Sequence, residues 1–212
     1  RNNLDPALIE DVIFGCVSQI GPQTFNVART AVLASNLPIE VPGVTVDRQC
    51  GSGQQAIHFA AQAVMSGNQD MIIAGGVENM SMTPIGSPLL VASKAGMRTP
   101  FDGEAISSRY PGVEFSQFVG AERMAEKYAV SRDDLDHFAY QSHVKGAAAY
   151  DDNRFDREII PMTVEVEGQK VVHDVDEGLR RNATLEAIQG LEPLQEGGLI
   201  TAGSASQICD GS

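Results

Sequence analysis

The sequence predicts an α/β protein: a parallel sheet layered with helices, joined to a mostly helical, loop-rich module. Strand-like and helix-like stretches alternate with short connections up to about Met82, the signature of parallel pairing. One helix in that stretch is apolar nearly all round, which calls for covering layers above and below, more than one short α/β unit is expected to supply. From Met80 to Gly120, Gly, Ser and Pro then recur without steady periodicity, as in loops lying over a scaffold.

Pro6–Glu10 begins an amphipathic turn, and Asp11–Val17 is a short buried strand. Asn26–Ser35 has helical spacing and is stopped by Asn36 and Pro38. Val44–Asp47 is β-branched, follows Pro42-Gly43, and is expected to be a strand. Ser52–Ser66 is a helix ended by Gly67-Asn68. Met71–Ala74 is another buried strand, leaving through Gly75-Gly76. Helix signals return at Ala121–Tyr128. Ser131 with Asp134 forms a capping signal that opens a helix to about Tyr150. Val164–Val166 and Lys170–Val172, separated by Glu167-Gly168-Gln169, are expected to be a hairpin. The small-residue-rich stretch Gly197–Ser212 completes the chain.

The 212 residues carry 15 Lys+Arg against 28 Asp+Glu, a formal net charge of −13. Nucleic-acid binding is disfavoured, because it needs a basic surface to displace counterions from phosphates. No run approaches the ~20 apolar residues of a membrane helix, and the opening Arg1-Asn2-Asn3-Leu4-Asp5-Pro6 lacks the apolar core of a signal peptide. Three widely spaced cysteines, Cys16, Cys50 and Cys209, do not suit a disulfide framework and point to a cytoplasmic setting. His58, His137, His143 and His173 form no Cys/His cluster at ligand spacing, so no metal is expected.

The sharpest local feature is Val44–Ala56, where a strand delivers the chain to a tight turn and a helix leaves it. Cys50 then sits at a helix N-terminus, where unpaired N–H groups favour an anion, and the thiolate is the nucleophilic form of cysteine. Gly51 and Gly53 leave room beside the sulfur. The alternative is that Cys50 is simply a small buried apolar residue. A helix end contributes at most roughly 2 kcal/mol to such an anion, so a nucleophile here wants a base as well. His58 lies eight residues along the same helix, roughly 12 Å away along its axis, beyond hydrogen-bond reach. His137 and His143 are expected to be solvated or structural, and His173 follows a hairpin strand.

Cys50-Gly51-Ser52-Gly53-Gln54-Gln55-Ala56-Ile57 and Ala74-Gly75-Gly76-Val77-Glu78-Asn79-Met80-Ser81 resemble the thiolase family of acetyl-CoA acetyltransferases and 3-ketoacyl-CoA thiolases. Asp11–Gly15, Asn26–Arg29, Asp176–Arg180 and Thr201–Gln207 also fit, in the family's order. The resemblance implies a thiolase-like layered α/β half-fold with an inserted helical, loop-rich domain that binds coenzyme A. On that basis residues 1–82 are the N-terminal α/β domain, 83–203 the loop domain, and 204–212 the start of the return. The implied reaction is thiolytic cleavage of a 3-ketoacyl-CoA, or the reverse Claisen condensation, as in fatty acid β-oxidation and other lipid metabolism. Cys50 would carry the acyl group, with its own backbone N–H helping to hold the oxyanion.

Carried over residue by residue, Arg180 lies near the nucleotide end of CoA, with Ala187 and Leu191 packing on it. Leu194, Ala202 and Ser206 line the pantetheine channel, and Ser116 and Gln117 belong to the loop that reaches toward the acyl chain. CoA is substrate and product, no resident cofactor is implied, and a homodimer or homotetramer is expected. Arg180-Arg181 supplies a local cation for phosphates in an acidic chain, unless the pair merely sits on a solvated face.

The sequence also departs from the family. The family's first strand and helix are expected ahead of Arg1, and a second, similar half beyond Ser212. That half carries the His of a Gly-His-Pro motif, an Asn of the oxyanion site and the Cys of a Cys-x-Gly motif. Cys209 is followed by Asp210 and is not taken as that cysteine; Ser204 stands where many relatives have Asn, and Ser116 where some have His. The 212 residues alone are therefore expected to turn over negligibly. A non-catalytic CoA-binding or assembly module of the same fold is the alternative, and a ketoacyl synthase or another thiolase-like protein fits the motifs less well.

Overall fold

Alternation along one short strand sets the layers. In the computed structural model, which describes residues 3–212, β1 (Asp11–Gly15) lies between β2 (Gly43–Val46) and β3 (Ile72–Gly76) in a parallel sheet. Arg1 and Asn2, which begin the opening run, lie outside the described residues. Val12 packs with Ala28 and Val32 of α1 (Val27–Ala34), backed by Ile9, Val41 and Phe14. Its neighbour Ile13 packs with Ala56 and Ala60 of α2 (Ser52–Met65), backed by Val46, Ile72 and Ala74. Successive side chains thus serve opposite faces, as the two-residue period of a strand requires. The result is the expected α/β layering.

Glycine sets the closest approach in this unit. A Cβ on Gly15 would overlap the backbone of Ser52 and Gly53, so only glycine lets β1 run under the start of α2. Gly76 pairs with Gly15 in the ladder, and its own Cβ would meet the Gly15 carbonyl oxygen at 2.7 Å.

The strands differ from their expected spans for identifiable reasons. β1 stops at Gly15 rather than Val17, because the N–H groups of Val17 and Ser18 donate to the Glu78 carboxylate (2.7 and 3.2 Å) instead of a strand. β3 runs through Gly75-Gly76, which pair with Phe14 and Gly15 rather than forming an exit turn. α2 is covered on one side only, as expected of a helix that wants more layers than one short α/β unit supplies. Its buried stripe is Ser52, Gln55, Ala56 and Ala60, while Ile57, Phe59, Val64 and Met65 are exposed.

The chain divides into two compact units, residues 1–111 with 208–212, and residues 112–207. The first also holds α3 (Ser87–Lys94) and α4 (Glu104–Arg109), where the sequence suggested only loops. Both are short, so neither shows the periodicity of a long amphipathic helix. The second unit contains α5 (Gln117–Lys127), α6 (Arg132–Asp151), an antiparallel hairpin of β4 (Met162–Val166) and β5 (Gln169–His173), and α7 (Leu185–Gln189). The hairpin turn is the two residues Glu167 and Gly168, both at positive φ, which matches the right-handed twist of its strands. α6 opens with the expected capping box: Ser131 and Asp134 satisfy each other's backbone N–H. The sequence gives no separate sign of α7, a single turn and a half capped by Thr184.

Among the described residues, no helix is long and apolar enough to cross a membrane. No group of three His, Cys, Asp or Glu among them could hold a metal ion.

Candidate functional site: an exposed thiol and an arginine-bearing cleft

β2 ends at Val46, and within five residues the chain reverses into α2. Gln49 takes φ 48°, a left-handed conformation, and its N–H donates to Asp47 Oδ1 at 2.7 Å. Ser52 closes the turn from the other side. Its Oγ accepts from the Arg48 N–H at 2.9 Å and donates to the Gln49 carbonyl at 2.6 Å. Cys50 is left at the apex, one residue before the N-cap Gly51, as an exposed free thiol. A Cβ on Gly53, in the first turn of α2, would meet nothing within 4 Å. In this structure Cys50 is exposed, unlike the small buried apolar residue of the alternative.

Cys16 is the buried one. It is 1% exposed, and burial, followed by the charges of Glu78 and Asp47, pushes its thiol up to about 11. Cys209 is free and exposed. Among the described residues, no side chain is hydrogen-bonded to the Cys50 sulfur, and His58 lies on the exposed side of α2. The turn presents an exposed thiol with no side-chain hydrogen-bond partner among the described residues.

Behind the turn, Glu78 of the Gly-Gly-Val-Glu-Asn segment organises a network that the sequence did not reveal. Besides Val17 and Ser18, its carboxylate accepts from Gln23 Nε2 at 3.1 Å, while Gln23 Oε1 accepts the Asn79 N–H at 2.6 Å. Asp210 ties the same segment down by accepting from the Ser81 N–H and hydroxyl (2.9 and 2.7 Å), which holds its carboxyl below the usual range.

The second unit carries a cleft of about 690 Å³. Four residues singled out in the sequence line it: Arg180, Ala187, Leu191 and Ala202. Leu194 and Ser206 are exposed and are not among its lining residues. Ser116 is instead the N-cap of α5, its Oγ accepting the Val119 N–H, and Gln117 is the first residue of that helix.

The two adjacent arginines differ in partners. Arg181 donates to Asp151 Oδ1 at 2.6 Å and lies 5.3 Å from the centre of the Tyr150 ring. Arg180 is exposed, and its guanidinium has no carboxylate partner among the described residues. The cleft thus sets Arg180, without a carboxylate partner, beside apolar Leu179, Ala187, Ile188 and Leu191, with Glu177, Asn182 and Gln207 also on its lining; such a mixed wall can take a phosphate-bearing ligand with a less polar stem.

Of the two expectations for His143, solvated or structural, the structural one fits. It lines the cleft half-buried, and its Nδ1 accepts the Arg180 N–H at 3.3 Å. A donor at Nδ1 assigns the neutral ring's proton to Nε2. Helical position alone could not reveal this contact across 37 residues.

The whole chain, residues 1–212, matches the family model described as thiolase, N-terminal domain. It is 49% identical over its full length to a steroid 3-ketoacyl-CoA thiolase of Mycobacterium tuberculosis, covering 51% of that protein. It is 38% identical to a probable acetyl-CoA acyltransferase of Staphylococcus aureus, covering 55% of it. Among solved structures, the acetyl-CoA acetyltransferase of Bacillus anthracis superposes with a TM-score of 0.78 at 32% identity, over 96% of this chain and 52% of that one. The chain spans about half the length of the curated relatives it matches.

Proposed function

Because this chain belongs to the thiolase family, we propose that it supplies the acyl-accepting cysteine and the coenzyme A cleft of an acyl-CoA acyltransferase. The observation that carries the reading is the exposed Cys50 thiol at the apex of the turn into α2. The Cys50 thiolate attacks the thioester carbonyl of an acyl-CoA, or the keto carbon of a 3-ketoacyl-CoA. A new S–C bond forms and negative charge moves to the oxygen, toward the Cys50 N–H and the positive end of α2. Collapse then expels either the CoA thiolate, by breaking the C–S bond, or the enolate of acetyl-CoA, by breaking the C–C bond. Each leaving group takes up a proton, and Cys50 keeps the acyl group as a thioester.

Arg180 takes a CoA phosphate, and Ala187, Leu191 and Ala202 take its less polar parts. Leu194 and Ser206 belong to the pantetheine path, and Ser116 and Gln117 to the acyl end. The higher identity to a relative named for steroid 3-ketoacyl-CoA supports a bulky ketoacyl substrate. With no base hydrogen-bonded to Cys50 among the described residues, the 212 residues alone acylate but turn over negligibly. A homodimer or homotetramer in the cytoplasm, with CoA as substrate and product and no resident cofactor or metal, completes the reading.

Incubation with acetyl-CoA followed by intact-mass measurement tests it. One acetyl group per chain is expected, and none in Cys50→Ser. CoA binding with no mass gain overturns acyl transfer and leaves a CoA-binding module of this fold.

A further inference from the structure

α7 forms one wall of the cleft, yet it has only five residues, far below the length at which a helix is stable alone. The carbonyls at a helix C-terminus have no partner within the helix. Here they are collected by a side chain from more than fifty residues away. Arg132 Nη2 donates to the carbonyls of Leu191 (2.8 Å), Gln189 (3.1 Å) and Ile188 (3.4 Å). Its Nε donates to Asp136 Oδ2 at 2.7 Å, one turn along α6.

Asp136 is 1% exposed, and its Oδ1 has no hydrogen-bond partner among the described residues. A buried carboxylate so poorly solvated is costly unless a cation faces it. The pair therefore fixes the direction of the guanidinium, and a planar fork held at one edge presents its other edge at a set angle.

Two of the three bonded carbonyls belong to residues of the wall. Ile188 and Leu191 line the cleft and close on Gly203 opposite, where a Cβ would lie 3.1 Å from Ile188 Cγ2 and 3.0 Å from Leu191 Cδ1. With so little slack, a shift of α7 by a few tenths of an ångström changes the cleft.

We propose that Arg132, oriented by the buried Asp136, is a positioning residue that holds α7 at the distance coenzyme A requires. The proposal rests on the reading of the cleft as a CoA site.

CoA titration of the full 212-residue chain by calorimetry, paired with hydrogen–deuterium exchange, tests it. Arg132→Lys keeps the charge without the fork, and Asp136→Asn keeps the shape without the charge. Each is expected to raise the Kd for CoA about tenfold and to raise deuterium uptake over residues 185–191 but not in β1–β3. Ala125→Gly, a loss of stability in α5 away from the clamp, is expected to leave the Kd within about twofold. Should Asp136→Asn fail to fold, Arg132→Lys carries the test. CoA affinity within twofold of wild type in folded Arg132→Lys overturns the proposal, as does equal weakening in Ala125→Gly. If the wild-type chain does not bind CoA, the cleft reading fails first. Uptake over 185–191 then decides the clamp by itself, and no change there in Arg132→Lys overturns it.

Discussion

The turn that presents Cys50 and the wall that faces Arg180 are built in opposite ways. Around Cys50, the hydrogen bonds that close the turn span four residues or fewer, some made by the side chains of Asp47 and Ser52 and others along the backbone. Around α7, the closing bonds come from Arg132, 56 to 59 positions away, and depend on a buried charge. A short-range turn forms wherever its own few residues are present. A long-range clamp needs the whole unit folded, and can therefore be lost by a change far from the cleft.

The contrast breaks first at Gly15. The thiol turn is local, but the helix that follows it rests on β1 only because position 15 has no side chain. Gly15→Ala is expected to cost about 3 kcal/mol in urea unfolding, as overpacking against backbone does. A variant of unchanged stability would show that β1 and α2 do not approach as closely as described.

Next comes Glu78, which brings a long-range charged anchor into the first unit, 55 to 61 positions from its partners. Glu78→Gln keeps the shape but replaces charge-assisted bonds from Val17 and Ser18. A loss of about 2 kcal/mol is expected, read as a lower midpoint of thermal unfolding. If the loss is negligible, the 17–23 loop is held by something other than that carboxylate.

The last effect, about 1 kcal/mol for each pH unit, is absent at neutral pH and belongs to Cys16. Its folded thiol titrates near 11 against an unfolded value of 9.0. Above pH 9 the unfolded chain gives up this proton while the folded chain keeps it, so stability falls as pH rises from 9 toward 11. The loss is on the order of 1 kcal/mol per pH unit. Cys16→Ala is expected to flatten that slope, and an unchanged slope would place Cys16 in contact with water. Below pH 9 the group has no such effect.

The same contrast explains what the sequence disclosed. The three strands, α1, α2, the Ser131–Asp134 cap of α6 and the hairpin were legible, because period, caps and turn residues lie within a few positions of what they control. The Cys50 turn belongs to this class. Hidden features depend on distant partners. His143 could not be assigned to the cleft because its link is to Arg180. Glu78 gave no sign that it would end β1 early. α7 is too short to show a period and stands on Arg132. The exposed apolar side of α2 was legible too, because a helix apolar nearly all round wants more cover than one short α/β unit supplies.

The proposal that Cys50 accepts an acyl group from a CoA thioester and that Arg180 takes a CoA phosphate has a direct test. Acylation of Cys50 is followed by mass with two donors, acetyl-CoA and S-acetyl-N-acetylcysteamine, which lacks the nucleotide, in wild type and in Arg180→Gln. The expected result is that Arg180→Gln slows acylation by acetyl-CoA about tenfold and leaves the short donor unaffected. Equal slowing with both donors, or no slowing with either, would contradict it.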